Sequence, residues 1–149
     1  MIILTSLYFL AAIVYLILGI ITFLNDPKNK LNKLFSIITI DLAVWSFMFS
    51  LMNCSKDAKI ASDFYLYSTL SWALFYCLLL HFIIVLSNKA DFFKKKFAYL
   101  IFYLPALLSI YLYIFHPDTS QSFVKTNLGW VYIVSKNRGF IWENFYNIY

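Results

Sequence analysis

The chain of 149 residues is 62% hydrophobic and 21% aromatic, with 13% charged side chains and a formal net charge of +5. A soluble domain of this size is nearer half apolar and a quarter charged, and with three glycines and three prolines the disordered and low-complexity classes are also excluded. The basic excess falls in short lysine clusters between apolar blocks, which report membrane topology and not a phosphate-binding face, so nucleic acid is excluded as a partner.

A crossing helix needs roughly 20 predominantly apolar residues. Four segments have that length: 2–24, 34–53, 64–86 and 97–115. The first carries no charged side chain. It lacks the basic leading region and small-residue cleavage site of a signal peptide and reads as a retained span. "NDPKNKLNK" (25–33) follows, with Lys28, Lys30 and Lys33 against one acid and Pro27 as a helix breaker. After the second span, "CSKDAKIASD" (54–63) balances two lysines with Asp57 and Asp63. After the third, "SNKADFFKKK" (87–96) sets Lys89, Lys94, Lys95 and Lys96 against one acid. Seven of the twelve basic residues therefore lie in the first and third connections. Lysine excess marks the cytoplasmic side, so the N-terminus is expected outside. Residues 116–139 are too polar to cross and are expected to form a small cap or hairpin at the outer interface. The aromatic stretch "FIWENFYNIY" (140–149) reads as the start of a fifth span. The expected fold is an all-α antiparallel bundle of four complete transmembrane helices plus that start.

One acid interrupts the second span: Asp41 in "LFSIITIDLAVWSFMFSLMN" (34–53). An ionisable group at such depth costs roughly 2.5–3.5 kcal/mol on insertion scales and should face a partner or a cavity. At about 100° per residue, Thr39, Ala43, Ser46 and Ser50 form one face of small residues, and Asp41 lies opposite with Trp45, Met48 and Met52. Neither face suits lipid, so this span is expected to be central. His81 is the obvious candidate partner. It lies five residues from the inner end of the third span and Asp41 seven from that of the second, a depth difference of about 3 Å. The pair would be either a hydrogen bond pinning two helices or a proton- or ligand-sensing site. The remaining reading is that Asp41 lines a wet crevice.

Trp72, Tyr76 and Trp130 are candidates for an apolar-ligand pocket. Tyr65, Tyr67, Tyr99, Tyr103, Tyr111 and Tyr113 lie near span ends, where interfacial belts place aromatics. Pairs of small residues four apart, Thr39/Ala43 and Thr69/Ala73, suit packing within the chain. One span Asp and one span His provide neither an intramembrane-protease motif nor a stable metal site, so no catalytic or metal-ligating residue is assigned. His116, in "FHPD", falls at the outer interface. Cys54 and Cys77 are placed too far apart for a disulfide.

Taken in order, several elements resemble the seven-transmembrane N-terminal region of bacterial sensor histidine kinases. They are the turn "NDPKNKLNKLF" (25–35), Ala43 and Trp45 in "DLAVWSF", Trp72 and "LLHF" (79–82) in the third span, "YLPAL" (103–107) in the fourth, and Gly129 with Trp130 in the outer loop. Family members often carry a proline where this chain has Tyr76 and Cys77. The resemblance covers about the first four and a half spans. No phosphoacceptor histidine helix or nucleotide site is found, so the chain is expected to be the first part of an input domain. The resemblance implies a sensory module in a bacterial two-component system, not itself an enzyme, without cofactor. Its expected partners are the lipid bilayer, a small ligand, a second copy of the chain, and a cytoplasmic kinase domain in a longer chain. The other reading is a small proton-coupled transporter or accessory membrane subunit using Asp41 and His81.

Overall fold

The computed structural model describes residues 2–89, 96–116 and 121–134. They form four helices and one hairpin: α1 (Ile2–Asn25), α2 (Lys30–Cys54), α3 (Ala58–Leu86), α4 (Lys96–Phe115), β1 (Gln121–Lys125) and β2 (Trp130–Val134). All four helices are long and apolar enough to cross a membrane, as the hydropathy pattern predicts. The expected start of a fifth span, at 140–149, lies outside the described residues.

Local chemistry explains where the helices begin. Asp26 Oδ1 accepts from the backbone N–H groups of Lys28 (3.0 Å) and Asn29 (3.3 Å), and so folds the Pro27 turn on itself. Asn29 then caps α2 by accepting from the Leu31 N–H at 2.8 Å. Asp57 caps α3 in the same way, accepting from the Ile60 N–H at 2.9 Å. These caps carry α2 back to Lys30 and α3 back to Ala58. Both helices therefore begin before the apolar stretches that were expected to bound them. Asn88, at φ 57°, ends the turn after α3 in the left-handed region that Asn tolerates. Pro105 sits inside α4, where its carbonyl accepts from Ser109 Oγ at 2.8 Å.

The main helix interfaces run in chain order, α1 on α2, α2 on α3 and α3 on α4, with no extensive α1–α4 interface among the described residues. The helices thus form a row in which α2 and α3 are central: 33% of each of their spans is buried, against 11% for α1 and 17% for α4. The small-residue face of α2 packs on α1. Ser36 Oγ donates to the Gly19 carbonyl at 2.8 Å and Ser50 Oγ to the Thr5 carbonyl at 3.2 Å. Hydroxyls that reach a carbonyl across the interface let two backbones approach without leaving a buried polar atom unpaired. The opposite face of α2 packs on α3, so the expectation of a span covered on both sides holds.

The hairpin pairs β1 and β2 antiparallel, with Phe123 opposite Tyr132 and Lys125 opposite Trp130. It caps the end of the row where α2 passes into α3. The Trp130 N–H donates to Asn53 Oδ1 at 3.1 Å, and its indole Nε1–H donates to the Ser55 carbonyl at 3.0 Å. Trp130 packs there with Met52 and Ala61, ringed by Phe49, Phe64, Tyr65 and Phe123. Gly129 lies at φ +148°, and a side chain there would collide with the Asn53 carboxamide.

Candidate functional site

The connection between α2 and α3 is only three residues, 55–57, and it fixes how the two helices lie against each other. Asp41 stands thirteen residues before the end of α2 at Cys54, and Ser71 thirteen after the start of α3 at Ala58. The two are level, and the Ser71 hydroxyl donates to the Asp41 carboxylate. His81 is ten residues further along α3, about 15 Å of helix. The expected Asp41–His81 pair is therefore not formed. The earlier depth match took 34 and 86 as level inner ends. In the folded chain α2 extends to Lys30, and the short 55–57 turn, not the limits of the apolar stretches, sets the register.

His81 instead joins α3 to α4. Its Nδ1 lies 2.8 Å from the Tyr103 hydroxyl, and the rings of Tyr99, Phe102 and Tyr103 surround it edge-on. Nearby, the Cys77 thiol approaches the Phe102 carbonyl at 3.5 Å. On the α2 side, the neighbour at His81's level is the beginning of that helix, where Phe35 meets Phe82 with ring centroids 6.2 Å apart.

Asp41 opens into a cavity of about 290 Å³ between α2 and α3, lined by Asp41, Leu42, Trp45, Ser71, Trp72, Phe75 and Tyr76. Trp45, Trp72 and Tyr76 thus gather around Asp41. The Trp72 and Tyr76 rings meet at 88° and the Phe75 and Tyr76 rings at 73°. Asp41 Oδ2 is buried and has no hydrogen-bond partner among the described residues.

A second cavity of about 240 Å³ lies toward the hairpin and shares Trp45 and Trp72 with the first. Its other walls are Phe49, Tyr65, Ser68, Thr69, Tyr113 and Tyr132. Four elements contribute to it: α2, α3, α4 and β2. Trp130 lines neither cavity; it is buried in the hairpin anchor, so its assignment to the same pocket as Trp72 and Tyr76 is corrected. The tyrosines expected in an interfacial belt divide. Tyr67, Tyr99 and Tyr111 are exposed, Tyr113 is only 6% exposed, Tyr65 lines the upper cavity, and Tyr103 holds His81.

Sequence reasoning missed Ser71, Asn53 and the inward tyrosines. Asn53 and Ser71 are small polar residues at helical positions with no motif around them. Only their spacing from the 55–57 turn marks them. Cys54 is exposed and Cys77 buried, both as free thiols. His116 is exposed beside Tyr111, with ring centroids 5.9 Å apart. No family model, curated protein or solved structure matches the chain.

Proposed function

We propose that this chain is a membrane-embedded sensory input module of a bacterial plasma membrane, with its N-terminus and hairpin outside. It would detect an extracytoplasmic or bilayer-borne signal and act on a cytoplasmic kinase in a longer chain. The observation that carries the reading is the pair of aromatic-lined cavities running from Tyr132 of the hairpin to Asp41 within the span, walled by α2, α3, α4 and β2. Filling such a space changes how neighbouring helices pack, because packed interfaces have discrete arrangements and do not deform continuously. The row of helices supports transmission, since α2 and α3 run from the hairpin end to the lysine-bearing end. The alternative, a proton-coupled transporter, was founded on an Asp41–His81 pair, and the α2–α3 register removes that foundation.

The test is mechanical. Ser68 lines the upper cavity and is 2% exposed, so Ser68→Leu fills part of that space. Spin labels at Lys30 and Asn88, at the far ends of α2 and α3, are expected to report a changed spacing in the filled variant. An unchanged spacing with the hairpin still protected from protease would uncouple the cavity from the inner end and defeat the proposal.

A further inference from the structure

We infer that the lower cavity is a binding site for a small organic cation of the quaternary ammonium class, with Asp41 as its counter-charge. This rests on the sensory reading and assigns its ligand chemistry. Three observations carry it. First, Asp41 lines the cavity beside Ser71, a neutral hydroxyl, and its Oδ2 has no hydrogen-bond partner among the described residues. Second, the described helices supply no positive charge at this depth. The sequences of α1 and of the fourth span from 97 to 115 hold no Lys or Arg, α3 has none after Lys59, and α2 has none after Lys33, eight residues short of Asp41. A half-buried carboxylate without a compensating charge is disfavoured in its ionised form, so a ligand that brings a positive charge gains by pairing with it. Third, the remaining walls are rings: Trp45, Trp72, Phe75 and Tyr76.

The wall chemistry separates the kinds of cation. Alkali and alkaline-earth ions need several oxygen ligands, calcium six to eight, and this cavity presents one carboxylate among aromatic rings. An alkylated ammonium matches it, since its charge is spread over methyl groups that pack on ring faces while the carboxylate neutralises it. A volume of about 290 Å³ lies at the lower end of ligand sites and suits a body the size of trimethylammonium. The cavity floor lies thirteen residues below the α2–α3 turn, about 20 Å, which favours a free cation over a lipid headgroup held at the interface.

The experiment uses the full chain in phosphatidylglycerol nanodiscs with radiolabelled choline. Its competitor is dimethylbutanol, the uncharged isostere with carbon in place of the quaternary nitrogen. Choline is expected to bind, and the isostere to compete at least about tenfold more weakly. Asp41→Asn should abolish that preference, and Trp72→Leu should weaken choline more than the isostere. A wild-type chain that binds both equally, an Asp41→Asn protein that keeps its choline affinity, or absence of choline binding would each overturn the assignment. Repeating the measurement in phosphatidylcholine nanodiscs identifies the source: apparent choline affinity lowered there assigns the site to a headgroup, and unchanged affinity assigns it to the free cation. Either outcome keeps the cation chemistry. The label-spacing experiment on Ser68→Leu needs no ligand, so the sensory reading stands or falls separately.

Discussion

Gly19 shows how one missing side chain sets a helix interface. A Cβ placed there would stand 2.6 Å from Thr39 Oγ1, 3.2 Å from Ile40 Cγ1 and 3.3 Å from the Ser36 carbonyl oxygen. Thr39 has little freedom to retreat, since its hydroxyl is held by the Phe35 and Ser36 carbonyls at 3.1 and 3.0 Å. Gly19→Ala is therefore expected to push α1 off α2 and cost about 1–3 kcal/mol, the usual range for overpacking, read as a lowered unfolding midpoint in detergent titration. Adding Thr39→Ala should recover part of the loss; no recovery would mean that the clash is not the cause. At the hairpin end the same scale governs Trp130. Trp130→Phe removes the indole N–H and leaves the buried Ser55 carbonyl without it, a cost of about 1–3 kcal/mol. The hairpin should then become susceptible to protease while helix content by circular dichroism stays unchanged.

Elements were legible where hydropathy alone decides them and illegible where caps and turns do. The four spans stand out because predominantly apolar runs of about 20 residues match the length of a crossing helix. The first turns of α2 and α3 are polar, held by Asn29 and Asp57, and carry no such signal. That is why the spans were begun at 34 and 64 and not at Lys30 and Ala58. The same few residues decide the site: polar first turns that hydropathy does not mark determine whether Asp41 is level with His81 or with Ser71. The tyrosines show a second limit. A belt preference depends on depth, whereas Tyr65 and Tyr113 turn inward because of rotation about the helix axis, which depth cannot report. The corrected pairing makes a direct prediction. His81 and Tyr103 should couple in a double-mutant cycle of His81→Leu and Tyr103→Phe by about 0.6 kcal/mol, the average for hydrogen bonds between membrane helices. A cycle of Asp41→Asn with His81→Leu should be additive. Strong non-additivity there would restore the α2–α3 pair and contradict the register set by the 55–57 turn.

For the whole molecule, the question is which side of the membrane the hairpin and cavities face. The described residues place the α1 start, the 55–57 turn, the α4 end and the hairpin at one end, and Lys28, Lys30, Lys33 and Lys89 at the other. Lysine clusters resist transfer across the membrane, so the proposed orientation puts the hairpin end outside. The chain carries its own reporter for this, because Cys54 is exposed at the hairpin end and Cys77 is buried. A membrane-impermeant maleimide is expected to label the wild-type protein in intact cells through Cys54, and Cys54→Ser should remove that labelling. In the Cys54→Ser background, Lys30→Cys should react only after permeabilisation. If Lys30→Cys reacts in intact cells and Cys54 does not, the cavities open toward the cytoplasm. An extracytoplasmic signal would then have no route past Tyr132 to Asp41, and the orientation would fall together with the sensory reading built on it.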